Sequence, residues 1–494
     1  MKRKVFFNFV TLLTLGGMLI FAPRALAQDD PPGEDQGADR MIEPSKAYLP
    51  LKTSYDKSFD SDLSMGLDKE RAITPETGIL DIATSTEHED DSDVAYGYSE
   101  YGVVYNRKGE IYIQFVRFDG VIGNKYLLSN GSGRSSSPAV AFEGTNNLYV
   151  VAWQYDFGGT GDDYDISARA VSPYGIVGDE AYVTESFNLE TDPDLDCNHD
   201  DESCLVVFSY EDTPDYIKGR FLDVSTLNGV TNSVHAAFRV STTSTGRDGE
   251  EPFIAWGQDI DRYMVAFNSP GGGGNKAVAA YTLIYDTYQG PVNQYVMTSK
   301  VLLDKPYDVK VTGVTYDPVT ERFLALASYD CEGDGSDSDI YLVIIRKCGA
   351  NEDLSGFPVA TLPCNETMGS ISFLTNAWAA KYDTGPDKVA IAYCSDLGGK
   401  SYVVTTVIKG NGSKTNPSYE IPEENDHMIV KEASSVFHSL VEKPAVAGSD
   451  GSGLYLVTLT DDVPAFSPVE DILGRIMRDS SSTDNNIFLP LFIK

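Results

Sequence analysis

The sequence predicts an all-β fold, a β-propeller of about seven four-stranded blades, with six and eight as the neighbouring counts. Three observations lead there: one short apolar stem recurs seven times, the repeats start 48 to 67 residues apart, and helical periodicity is nearly absent. The stem is YVVAW from Tyr149. Its counterparts are YGVVY from Tyr101, CLVVF from Cys204, YMVAF from Tyr263, FLALA from Phe323, KVAIA from Lys388 and YLVTL from Tyr455. A period of roughly 50–60 residues in an all-strand chain is that of propeller blades or a similar array.

Each stem has companions. SPAVAF (137–142), EPFIAW (251–256) and KPAVAG (443–448) precede it, and DISARAVSPYG from Asp165, YIKGRFLDV from Tyr216, DIYLVIIRKCG from Asp339 and DILGRIMRD from Asp471 follow it. A weaker fourth strand closes the unit, as in EAYVT (180–184) and QYVMT (294–298). The strands are β-branched and aromatic, while Gly, Asp, Asn and Pro punctuate the loops. A lone four-stranded sheet cannot cover its own apolar faces, whereas sheets stacked in a ring bury them and leave only short edges. Blade one is expected at about residues 78–130, and Glu432–Val441 reads as one short helix. The last unit has three clear strands. Its fourth comes from the tail NIFLPLFIK (486–494) or from the leader; separately, AYLPL (47–51) resembles the tail's IFLPL (487–491), which suggests a paired closing latch, with two unpartnered edge strands as the alternative.

The combination SPAVAF, LYVVAWQY and DYDISARAVSPYGIVGDEAYVT over 137–184 resembles repeats of exported bacterial β-propeller-type proteins. Residues 191–242 and 442–478 match in part, and the units between match mainly in spacing. The resemblance implies the fold and says little of activity, since that group is mostly uncharacterised. The ending FLPLFIK is similar to short terminal segments of some exported bacterial proteins, which implies a sorting or retention tag as the alternative to a closing strand.

Lys2, Arg3 and Lys4, a long apolar stretch and Ala25-Leu26-Ala27 form a cleavable signal peptide over residues 1–27. Residues 28–45 are an acidic, Pro- and Gly-rich leader, and 46–494 a single propeller domain. No later apolar run reaches the ~18 residues of a spanning helix. The chain is therefore expected outside the cell, secreted or held at the surface. It carries 38 basic against 74 acidic residues, a net charge of -36; removing the signal's four basic residues leaves 34 against 74, a net of -40. Such a charge excludes binding to nucleic acid by phosphate neutralisation.

Six cysteines in an exported chain read as three disulfides. Cys197 and Cys204 flank a polar turn and would bridge two hairpin strands. Cys331 and Cys394 both end a second strand in consecutive blades, and Cys348 and Cys364 lie in one hairpin, so the register favours Cys331–Cys394 and Cys348–Cys364.

Asp330, Glu332, Asp334, Asp337 and Asp339 approach the alternating-carboxylate spacing of calcium loops, although Tyr341 stands where the closing Glu belongs. Asp162, Asp163 and Asp165 occupy the corresponding loop of blade two and repeat the pattern. Calcium is the cofactor that these sets would take, and a solvated acidic hairpin is the alternative. Asp192, Asp194, Asp196, Asp200, Asp201 and Glu202 read as a surface turn pinned by Cys197–Cys204. The GGGGNK segment (271–276) fails the phosphate-loop spacing, and neither G-x-S-x-G nor H-E-x-x-H occurs. The inner segments PAVAF, PFIAW and PAVAG carry no acid, which argues against catalysis in a central channel. The expected function is a non-enzymatic binding or scaffold propeller at the cell surface or in the matrix, its partner a glycan or a protein. The alternatives are a carbohydrate-active hydrolase or lyase using acidic residues, and a calcium-dependent structural or adhesive component.

Overall fold

The computed structural model describes residues 73–479 apart from 86, 132, 162, 199–201, 213–214, 233–236, 242–248, 271–275, 285–298, 305–308, 331–337, 346–354, 361–364, 374–386, 398–399, 416–417, 421–426, 430–439, 449–453 and 464–468. The signal, the leader, AYLPL and the tail NIFLPLFIK lie outside the described residues, as does QYVMT (294–298).

The described strands are arranged as a β-propeller of antiparallel, essentially four-stranded sheets, seven in number. Two short strands, β1 (Ile73–Pro75) and β2 (Leu80–Ala83), open the chain. Sheet one then runs β3 (Glu89–Tyr96), β4 (Glu100–Arg107), β5 (Glu110–Arg117) and β6 (Ile122–Leu127). Sheet two is β7 (Ser135–Glu143), β8 (Leu148–Asp156), β9 (Tyr164–Ser172) and β10 (Gly175–Tyr182). Sheet three is β11 (Glu190–Asn198), β12 (Ser203–Tyr210) and β13 (Tyr216–Ser225), with β14 (Gly229–Asn232) and β15 (Phe238–Arg239) sharing the outer place. Sheet four holds β16 (Glu250–Gly257), β17 (Arg262–Pro270), β18 (Lys276–Ile284) and β19 (Ser299–Asp304). Sheet five holds β20 (Val309–Asp317), β21 (Arg322–Asp330), β22 (Ser338–Ile345) and β23 (Ser355–Ala360). Sheet six holds β24 (Asn365–Phe373), β25 (Lys388–Leu397) and β26 (Lys400–Gly410), flanked by β27 (Tyr419–Glu420) and β28 (His427–Ile429). Sheet seven is β29 (Leu440–Ala447), β30 (Leu454–Val463) and β31 (Val469–Asp479). The first strands of successive sheets touch one another in order, and β29 touches β3, so the circuit returns to its start.

The seven stems are the second strands. They are almost wholly apolar because neighbouring sheets cover both faces, as in β8, where Leu148 to Trp153 are all buried. Outer strands read differently: β6 is almost wholly exposed. The β4–β5 hairpin turns on Lys108 and Gly109, both at positive φ, the geometry of a two-residue type I′ turn. Asn106 Oδ1 accepts the Gly109 N–H at 2.8 Å and locks it.

Three expectations need correction. Sheet one starts at Glu89, not near residue 78, because residues 73–83 belong to the last sheet. There β1 and β2 both pair with β31, so the missing outer strand comes from neither the tail nor residues 28–45. Of the helix expected at 432–441, Leu440 and Val441 instead begin β29 and the rest lies outside the described residues. Chain closure is therefore non-local. Ile82 is buried against Gly474, where any β-carbon would collide with it, and in the cluster of Val94, Tyr101, Leu456 and Ile472. Ile82→Ala should cost about 2–4 kcal/mol, read as a lower urea midpoint at unchanged slope; a loss below about 0.5 kcal/mol would show that β2 does not hold the closure.

Candidate functional site: the acidic axis

The first strand of each sheet has a partner on one side only, so half of its main-chain groups face the axis of the ring. Each also carries a bulge at the same place. The register slips between Asp90 and Asp93, Ser136 and Ala139, Thr191 and Asp194, and Glu250 and Phe253. Asp91, Ser137, Asp192 and Glu251 take positive φ there, between 48° and 53°. In three of these bulges a proline follows, which has no N–H to lose where the ladder breaks.

Beyond the bulge, side chains of one sheet meet the free N–H groups of the next. Asp93 Oδ2 accepts from Val140 N at 2.8 Å, Asp194 Oδ2 from Ile254 N at 2.8 Å, and Asp196 Oδ2 from Trp256 N at 2.6 Å. The hydroxyls of Ser370 and Ser372 serve Val446 N and Gly448 N in the same relation. The other oxygen of each aspartate accepts from its own strand, from Val94, Leu195 and Cys197 at 2.8 to 2.9 Å. These carboxyls thus sew sheet one to sheet two and sheet three to sheet four.

Electrostatics follow from that depth. Asp93 and Asp196 are each pushed up to about 6 by burial, against the pull of their two N–H donors. Asp194 is raised well above the usual carboxylate range by burial first, then by the charge of Asp93, with Asp196 adding to it. Nearer the mouth, Asp192 is raised by burial and by Glu251, Asp91 and Glu250. Acids from sheets one, three and four therefore share one rim, where Asn268 Nδ2 donates to Glu251 Oε2 at 2.6 Å.

This overturns two expectations. Asp192, Asp194 and Asp196 lie on an innermost strand rather than at a surface turn, and the inner strands do carry acids. The signal was in the sequence: D-P-D-L-D (192–196) is the same segment as S-P-A-V-A (137–141), with aspartates in both alanine places. The disulfide joins Cys197 to Cys204 across β11 and β12, as expected. Cys394 is buried on β25, while Cys331, Cys348 and Cys364 lie outside the described residues.

The calcium sets are divided. Glu332, Asp334, Asp337 and Asp162 lie outside the described residues, as do Asp200 and Asp201. Asp330 ends β21 opposite Ser338, and Asp339 is buried on β22. The main-chain oxygen of Asp163 accepts from Phe157 N, and Asp165 is a buried anchor for Ser186 N at 3.0 Å. Among the described residues, no three His, Cys, Asp or Glu side chains are placed to hold a metal ion.

No family model and no curated protein matches the chain. Some solved structures align with it at low identity. The polysaccharide lyase Uly1 aligns at 10% identity and a TM-score of 0.47, over 80% of this chain and 90% of that one. A subtype N10 neuraminidase-like protein from influenza A/little yellow-shouldered bat/Guatemala/060/2010 aligns at 10% identity and 0.40, over 67% and 98%. A prolyl endopeptidase aligns at 11% and 0.43, over 80% and 47%.

Two measurements test the axial acids. Asp194→Ala strands two buried N–H groups and should cost about 1–3 kcal/mol for each in chemical denaturation. Because the folded state holds Asp93 and Asp196 protonated up to about 6, their stabilisation is full below the ordinary carboxylate range and fades as pH climbs through 6. Calorimetric Tm should accordingly fall between pH 4 and 6.5, and less steeply in Asp196→Asn.

Proposed function

We propose that the chain is an exported, seven-bladed, non-enzymatic propeller that binds a glycan or protein partner at the cell surface or in the matrix. The observation that carries this reading is a set of exposed aromatics on pinned turns at the loop end of sheets two and three. Phe187 is 97% exposed and Phe157 61%. Phe187 sits in a connector where Ser186 Oγ accepts from Asn188 N, and Asn188 Nδ2 donates to the Tyr210 hydroxyl at 2.7 Å. Phe157 sits in a loop tied by Asp156, whose oxygens accept from Gly159 N and Gly161 N, and it meets Tyr155 edge-on. Tyr210 and Tyr216 stand 5.0 Å apart beside them, with Lys218 over the first ring and Arg239 over the second. Exposed aromatics that lose little freedom on binding are what sugar faces and protein anchors use.

The hydrolase or lyase reading gains one observation, the acids of the axis. Against it, each deep aspartate spends both oxygens on main-chain donors and so braces the ring. A calcium-dependent adhesive role rests on loops that lie mostly outside the described residues.

A glycan array and a polysaccharide panel test the proposal together. Binding without turnover is expected, lowered about tenfold or more by Phe187→Ala with Phe157→Ala at unchanged Tm. Turnover of any polysaccharide, abolished by Asp93→Asn or Asp194→Asn, would establish the hydrolase reading instead.

A further inference from the structure

Two boundaries between consecutive sheets contain a buried pair of carboxyls. At the boundary of sheets two and three, Asp165 is the second residue of β9 and Glu190 begins β11; they are 5% and 1% exposed and within hydrogen-bonding reach. Ser186 joins them, its N–H donating to Asp165 Oδ1 at 3.0 Å and its hydroxyl to Glu190 Oε1 at 2.6 Å. Glu190 Oε2 is buried without a well-formed hydrogen bond among the described residues, although the Thr184 hydroxyl beside Glu190 opposes the rise in its proton affinity. At the boundary of sheets five and six, Asp317 ends β20 and Asp387 precedes β25; they are 0% and 8% exposed and again within hydrogen-bonding reach. Asp317 accepts from Val319 N, Thr320 N and the Thr320 hydroxyl, and Asp387 Oδ2 accepts from Gly412 N at 2.6 Å. Asp387 Oδ1 is buried and has no donor among the described residues. Its carboxyl also fills the space where a β-carbon on Gly410 would stand, so it cannot swing away on that side.

A buried carboxylate oxygen without a donor is costly, and two carboxylates side by side cannot both ionise cheaply. One proton per pair removes both costs, because the acid donates to the carboxylate beside it. We propose that each of these two boundaries is fastened by a proton shared between an acid and a carboxylate, Glu190 with Asp165 and Asp387 with Asp317, and that the ring loosens there when the proton leaves.

Charged groups of both signs surround the two pairs. Around the first pair stand Asp163 and Glu185, which add negative charge, and Lys218, which opposes it. Lys218 is also drawn to Asp212 and to the Tyr210 ring. Around the second pair, Arg322 spends its Nη groups on the main-chain oxygens of Thr320, Glu321 and Lys414. Glu321 and Lys414 pair with each other, and Lys388 is the next residue to Asp387. The boundary between sheets seven and one offers a contrast. There Glu89, with Asp471 nearby, is likewise raised by burial, but Arg107 Nε at 3.3 Å pulls against the rise. Glu190 and Asp387 are each pushed up to about 7, the former by burial and Asp165 against the Ser186 hydroxyl, the latter by burial and Asp317.

The sign is fixed by linkage. Both groups hold protons in the fold that the unfolded chain releases, so their stabilisation is full below the ordinary carboxylate range and is lost as pH rises through 7. Full-length protein should lose Tm between pH 6 and 8.5. Glu190→Gln and Asp387→Asn mimic the protonated state, and each should flatten that slope, the double variant most. Hydrogen exchange corrected for its intrinsic pH dependence should show β9 and β11 losing protection across this range in the wild type but not in Glu190→Gln. Infrared difference spectra between the wild type and each variant separate these carboxyls from the axial acids, and Asp165→Asn or Asp317→Asn stands in where the first variant of a pair does not fold. A protonated carboxyl band present at pH 6 and gone by pH 8.5 supports the proposal. Its absence at pH 6, or an unchanged Tm slope in both folded variants, overturns it.

Discussion

Every sheet of this ring begins with a strand that has a neighbour on one side only. The N–H groups on its other side face the axis, where no further strand can come. Much of the remaining structure answers that deficit. Aspartates and serines placed two residues apart beyond the bulge reach into the next sheet and accept those hydrogen bonds. Apolar packing between sheets is non-directional and would tolerate sliding, whereas a row of N–H donors matched to side-chain oxygens sets each sheet at one height against the next.

The same constraint explains why acids gather where repeats of this kind otherwise carry alanine. A carboxylate at the axis gives two acceptors to N–H groups that the ladder leaves without a partner. The cost is desolvation, which raises the affinity of these groups for protons, most of all at Asp194, where Asp93 and Asp196 add their own charge. The acidity of the chain is therefore of two kinds. Some turn acids among the described residues, such as Asp119 and Glu202, face water. Those at the axis and at the sheet boundaries are structural, and their protonation is part of the fold. Exposed aromatic side chains stand at the loop end, on turns tied by the side chains of Asp156 and Ser186.

Much of the architecture could be read from particular residues. The stems at Tyr101, Tyr149, Cys204, Tyr263, Phe323, Lys388 and Tyr455 are all second strands, because a strand covered on both faces must be apolar along nearly its whole length. The Cys197–Cys204 bridge was legible from a short polar turn between two strands. The axial acids were harder to see. Asp192-Pro193-Asp194-Leu195-Asp196 looks like a charged turn until the proline is aligned with Pro138, Pro252 and Pro444; composition hides the register, and register alone says which way a side chain points. Asp163 and Asp165 were legible as acids near a loop, but their separate roles were not.

The amino-acid sequence by itself determined the strands, their grouping in fours and their repetition, since these follow from local patterns of apolar residues and turns. Only the tertiary structure decided how the circuit closes, with residues 73–83 paired to β31, a contact between chain positions some 400 residues apart that leaves no local trace. It also decided which acids meet. Whether a carboxyl is solvated, sewn to a neighbouring strand or set against another carboxyl depends on groups far away in the chain, and no spacing along the sequence encodes that distance.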